Sequence, residues 1–255
     1  MTLAILLLGG WAESQAAGDA VRSSWEQAYV LLPVGPRHLV MGRMSDNFIR
    51  RTLTTLPAGK KLFTVLYLHG CSGFSPGNFE YLHLLGRYGY AVITPDSFAR
   101  PGRPRTCDPK LHAGIPGAPH QAAARMRLEE IRYALKRIRG LRWVDRRNLF
   151  LMGHSQGGGA AAAYAGGGFR GLILSGSLCL DGPNAPEGTP VLSIYSEGDP
   201  WRNGRDARGC EKQAKARRLP VEFHLFPGNV HNLVRNTEAR ALIRSFLERH
   251  AALAR

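Results

Sequence analysis

Six short apolar runs recur along the chain: Lys61–Leu68, Tyr90–Thr94, Leu149–Gly153, Gly171–Ser175, Val191–Tyr195 and Val221–Leu225. Each is closed by glycine, proline or a polar cluster, and the first is almost continuously apolar, as a strand buried on both faces requires. Between them the apolar period lengthens to that of a helix. Asn78–Tyr88 carries Phe79, Leu82, Leu85 and Gly86 at helical spacing, and Gly89 stops it. Gln121–Arg139 places Leu128, Ile131, Leu135 and Ile138 on one stripe with arginines outside it. Gly158–Tyr164 is a small-residue helix rich in alanine, Ala207–Arg218 a charged one, and Glu238–Ala252 a closing amphipathic one. Ahead of all these, Tyr29–Leu32 and Arg37–Met41 read as short strands, and the alternation from Phe48 to Leu56 predicts another. Strands alternating with helices at this spacing give an α/β architecture, a mostly parallel sheet of about eight strands covered by helices on both faces. No internal repeat interrupts the pattern, so a single domain is expected over residues 18–255.

One junction carries chemistry. The apolar run Leu149–Met152 leads directly into Gly153-His154-Ser155-Gln156-Gly157, followed by Gly158 and Gly159. A serine between glycines at a sharp strand-to-helix turn is a nucleophile elbow. The turn lifts the hydroxyl clear of the sheet and leaves no room for side chains two residues before and after the serine.

A serine hydroxyl needs a base, and the base needs an acid to orient it. In parallel sheets ligands lie beyond the carboxyl ends of the strands, so partners are sought there. The run ending at Tyr195 is followed by Ser196-Glu197-Gly198-Asp199-Pro200-Trp201, and the last by Pro227-Gly228-Asn229-Val230-His231. The order Ser155, Asp199, His231 is that of an α/β-hydrolase triad. Glu197 and Asp181 are rival acids. His69 and His154 are read as structural. The backbone N–H groups of Gln156, at a helix N-terminus, and Cys71, after His69-Gly70, are the candidate oxyanion hole.

Leu68-His69-Gly70-Cys71-Ser72-Gly73, the segment Arg87–Phe98, the elbow, Gly198-Asp199 and Pro227–His231 together resemble the dienelactone hydrolase-like branch of the α/β-hydrolases, over about residues 60 to 250. The resemblance implies a single-domain hydrolase that uses no cofactor and no metal. Dienelactone hydrolases carry cysteine at the elbow, where this chain has Ser155, so a general carboxylesterase acting on a small ester through an acyl-enzyme is the expected activity. A peptidase of related fold is one alternative. A non-catalytic protein that keeps the fold and binds an anionic polymer through its basic surface is another.

Composition adds compartment and surface. The 255 residues include 34 Lys and Arg against 19 Asp and Glu, a net charge of +15, with only six lysines. The arginines are spread along the chain and no nucleic-acid-binding motif accompanies them, so no nucleic-acid partner is expected. Leu3–Leu8 is apolar but too short to span a bilayer, and small residues follow to Ala17. Residues 1–17 therefore read as a signal peptide, although no basic residue precedes the run. Periplasmic or secreted location is expected, with the cytoplasm as the alternative, and no stable membrane anchor. The four cysteines fit an oxidising compartment and allow three pairings. The topology favours Cys71 with Cys107 and Cys179 with Cys210, each pair joining loops after neighbouring strands. The loop from Ser97 to His120, rich in proline, glycine and arginine, is expected to overhang the site. Arg100 and Arg103 from it, and Trp201, are candidate substrate contacts. Oligomeric state is not legible in the sequence.

Overall fold

The computed structural model describes residues 18–35, 38–107, 121–202 and 204–252. The expected signal peptide and the part of the long loop from 108 to 120 lie outside the described residues. The chain forms eight strands, β1 (Tyr29–Gly35), β2 (His38–Arg43), β3 (Leu62–Leu68), β4 (Ala91–Thr94), β5 (Val144–His154), β6 (Leu172–Ser175), β7 (Val191–Ser196) and β8 (Val221–Phe226). Among the described residues the α-helices are α1 (18–26), α2 (Asn47–Thr54), α3 (Pro76–Arg87), α4 (Gln121–Arg139), α5 (Gln156–Ala163), α6 (Gly209–Ala216) and α7 (Thr237–His250).

The strands make one sheet in the order β2-β1-β4-β3-β5-β6-β7-β8. From β3 to β8 all neighbours are parallel, and β1 and β2 form an antiparallel hairpin along β4. Alternate side chains of each strand point to opposite faces, so the buried sheet feeds two cores. On one face Leu66, Leu68, Leu151, Leu172 and Leu174 pack against Ile131, Leu135 and Ile138 of α4 and the alanines of α5. On the other Tyr67, Phe150, Met152, Ile173 and Ile194 pack against Leu82 and Leu85 of α3 and Ile243, Phe246 and Leu247 of α7.

Two sequence expectations need correction, and one helix was not foreseen. Phe48–Leu56 is not a strand. Residues 47–54 form α2, whose Ile49 is buried and, with Leu53 and Leu56, covers Val30 and Leu32. The spacing 49, 53, 56 is helical, and the adjacent pairs Phe48-Ile49 and Arg50-Arg51 break a two-residue alternation. Residues 18–26 form a helix anchored by Val21 and Trp25, which the sequence pattern did not expose. On α4 the buried face includes Arg127 and Glu130 alongside the aliphatic stripe. A hydrophobicity pattern cannot show charges that are buried as a pair.

What positions the site is the sheet order. The chain leaves β3 for β4 on one side, while β5 lies on the other, so β3 and β5 flank the point where strand order reverses. Leu68 is level with Gly153 in their register. The segments after these two strands, His69-Gly70-Cys71 and Ser155-Gln156, therefore emerge side by side. Both expected disulfides are present: Cys71–Cys107, with Cα atoms 5.5 Å apart, and Cys179–Cys210, at 5.0 Å.

Candidate active site

Ser155 caps α5 with φ 55° and ψ −121°, one of three non-glycine residues with positive φ among the described residues. Such a conformation costs of order 1–3 kcal/mol and persists only where the surroundings impose it. The surroundings here are backbone. A Cβ at Gly153 would overlap the Gly157 carbonyl, and one at Gly157 would overlap the Leu68 and His69 carbonyls. The elbow is thus wedged between β3 and β5, and the Ser155 N–H is tied to the Ser175 carbonyl at 2.8 Å.

His231 follows β8, and its Nδ1 lies 2.7 Å from Asp199 Oδ2. The Asp199 side chain is withdrawn from solvent, while the His231 ring is partly exposed. The other Asp199 oxygen, Oδ1, accepts the Trp201 backbone N–H at 2.8 Å. With both carboxylate oxygens engaged, Nδ1 of the ring carries the proton and Nε2 is left free to act as a base. Of the rival acids, Glu197 is exposed and Asp181 sits on the rim of the cleft rather than on the histidine.

Ser155, Gln156, Cys71, Trp201 and His231 line one cleft. Its walls are completed by Ala160, Ala163, Leu178, Leu180 and Tyr195, so the space beside the serine is mainly apolar. The N–H groups of Cys71 and Gln156 make no other backbone hydrogen bond among the described residues, and the latter opens α5, where the first N–H groups lack intrahelical partners.

The structure does not bring Arg100 to the cleft. Its guanidinium is buried, bonded to Glu129 (2.7 Å) and to the Met126 carbonyl (2.8 Å). Arg103 is also buried and reaches the site only indirectly, through the side chain of Gln156 at 2.6 Å. Among the described residues, the cationic ones that do line the cleft are Arg127 and Arg205, which sequence reasoning missed. Arg127 is enclosed, paired with Glu130 at 3.0 Å and donating to the His69 carbonyl at 3.1 Å. Leu178 and Leu180, also missed, follow β6, where the strand-end rule that found Asp199 would have found them.

Two further histidines support the site without facing it. His69 is buried. Its Nε2 accepts the Ser97 N–H at 3.1 Å, so its Nδ1 is the protonated nitrogen and donates to the Gly70 carbonyl at 2.7 Å. Burial, and then the Arg127 guanidinium, hold its pKa well below the ordinary imidazole value. His154 packs beside His231 with ring centroids 4.9 Å apart, and burial together with that neighbour lowers its pKa to about 3. Both rings are therefore neutral at pH 7.

The sequence profile of the alpha/beta hydrolase family matches residues 65–254. The chain belongs to the α/β-hydrolase family. No curated protein sequence matches it. Among solved structures it is similar to a phospholipase/carboxylesterase from Dyadobacter fermentans, with 17% identity, a TM-score of 0.55, and 76% of this chain and 93% of that chain covered. It is similar also to a Klebsiella pneumoniae protein assigned as a dienelactone hydrolase, with 18% identity, a TM-score of 0.51, and coverage of 74% and 85%. A Pyrococcus horikoshii acylaminoacyl peptidase aligns at 14% identity and a TM-score of 0.53, over 76% of this chain but 38% of the peptidase. Identities this low carry the fold alone.

Proposed function

We propose that this α/β-hydrolase is a serine carboxylesterase. The observation that carries the reading is the His231–Asp199 pair, opening onto the same cleft as a serine held at positive φ. Ser155 Oγ attacks the ester carbonyl while His231 Nε2 takes its proton, and Asp199 stabilises the imidazolium that forms. The charge developing on the carbonyl oxygen is met by the Gln156 and Cys71 N–H groups. His231 then returns the proton to the departing alcohol, and water, activated by the same histidine, releases the acid from Ser155. The mainly apolar walls favour an ester with an apolar portion, for which Trp201, 5.9 Å from the His231 ring, is a contact. A serine elbow in place of a cysteine favours general ester hydrolysis over dienelactone chemistry. Export to the periplasm or cell exterior accompanies this reading, supported by the two disulfides.

A fluorophosphonate probe tests the mechanism. Labelling of Ser155, lost in Ser155→Ala, is expected, and an unlabelled wild-type chain would refute it. Parallel assays on p-nitrophenyl esters and peptide anilides then test ester against amide; turnover of the anilides alone would replace esterase by peptidase.

A further inference from the structure

The segment Ser97–Cys107 makes three separate ties to the two backbone amides expected to hold the oxyanion. Ser97 donates its N–H to His69 Nε2 at 3.1 Å, and His69 Nδ1 in turn donates to the Gly70 carbonyl at 2.7 Å. That carbonyl belongs to the same peptide plane as the Cys71 N–H. In a planar trans peptide the two point in opposite directions, so fixing one aims the other. Arg103 makes the second tie: its Nη2 donates to Gln156 Oε1 at 2.6 Å, while Gln156 Nε2 donates to Thr106 Oγ1 at 2.8 Å. The Gln156 side chain is thereby gripped at both ends by one loop. The third tie is covalent, Cys71–Cys107, one residue beyond Thr106.

Arg103 is itself held from behind. Its Nε donates to Ser97 Oγ at 2.8 Å, and that hydroxyl donates to Glu130 Oε1 at 2.8 Å. Burial, and then the Arg127 guanidinium, bring its pKa down to about 10, so it remains charged at neutral pH. All of its nitrogens serve the segment and Gln156: Nη1 donates to the Pro104 carbonyl, completing the set. An arginine committed in this way does not bind substrate.

We propose that Ser97–Cys107 is a strap that sets the oxyanion hole, with Arg103 as its positioning residue acting through Gln156. The inference rests on the esterase reading above. It differs from a merely structural role because the two amides matter most when the carbonyl oxygen becomes charged, so their misplacement raises the barrier to the transition state more than it weakens substrate binding.

The test compares wild type, Arg103→Met and Arg103→Lys in the full disulfide-bonded chain. Each variant is assayed on p-nitrophenyl butyrate, for Ki with an alkyl trifluoromethyl ketone, and for thermal midpoint. The ketone adds to Ser155 and places an oxyanion in the hole. Arg103→Met is expected to lower kcat by about 10- to 100-fold with KM nearly unchanged. The ketone Ki should rise in parallel, and Arg103→Lys should recover part of both. A Met variant with wild-type kcat and Ki overturns the proposal, as does a loss in proportion to unfolded protein with no rescue by lysine. Folded Arg103→Met whose KM rises while kcat holds also overturns it, and returns Arg103 to substrate binding. A wild-type chain that neither turns over the ester nor takes the fluorophosphonate refutes the esterase reading itself, whereas a labelled wild type with an indifferent Arg103 variant refutes the strap alone.

Discussion

Asp199 Oδ2 lies 2.7 Å from His231 Nδ1, with the carboxylate enclosed and the imidazole reaching toward the cleft. Asp199→Asn keeps the shape, but an amide can donate to Nδ1 and so favour the wrong tautomer. On the esterase reading, kcat on p-nitrophenyl esters should fall by about 10⁴-fold. The thermal midpoint provides the control for folding.

The backbone at Ser155 makes the opposite trade. Its φ of 55° is strained for serine and ordinary for glycine. On the esterase reading, Ser155→Gly should abolish ester turnover while stabilising the fold by about 1 kcal/mol. In a chain of this size that raises the thermal midpoint by about 2–4 °C. A lower midpoint would show that the hydroxyl, rather than the surrounding backbone, holds the turn.

Neighbouring glycines separate fold from cleft. A Cβ at Gly157 would overlap the carbonyls of Leu68 and His69, whereas one at Gly159 would meet only Ser177 Oγ, at 3.7 Å. Gly157→Ala should therefore destabilise by 1–3 kcal/mol or more, an overpacking cost of about the usual size. Gly159→Ala should be neutral or stabilise by up to about 1 kcal/mol through helix propensity. Urea denaturation of the two variants side by side measures the contrast.

His154 links stability to acid. Its folded pKa of about 3 lies below the ordinary 6.5, so the unfolded chain takes up this proton first as pH falls. The contribution to stability is intact above 6.5 and is lost progressively as pH drops from 6.5 toward about 3. His69, depressed for the same reason of burial, acts in the same direction. Unfolding free energy measured against pH should decline across this window. If it does so as steeply in folded His154→Asn, His154 is not a source of the decline.

Much of the architecture is legible in the sequence because buried parallel strands and amphipathic helices advertise themselves by period. The six apolar runs are strands β3 to β8, and Gln121–Arg139 is helical from end to end. The exceptions share a cause. Around Phe48 a short stretch holds too few apolar residues to define its period in isolation, and packing against Val30 and Leu32 decides it. The arginines of Gln121–Arg139 read as lying outside its apolar stripe, and Arg100 and Arg103 as substrate contacts, yet Arg127, Arg100 and Arg103 form a buried network with Glu130, because burial of charge depends on a partner and not on a pattern.

The sequence by itself determined the elbow, the alternation that builds the sheet, and the order in which a serine, an acid and a histidine follow strand ends. These are local signals, set by backbone sterics and hydrophobic period. Which residues meet was decided only by the tertiary structure. The sheet order puts β3 beside β5 so that two loops flank Ser155, and the packing of the segments beyond the strands sets Asp199 rather than the exposed Glu197 against His231 and turns Arg100 and Arg103 inward. Contacts between residues tens of positions apart depend on strand order and burial, which no local window of the sequence contains.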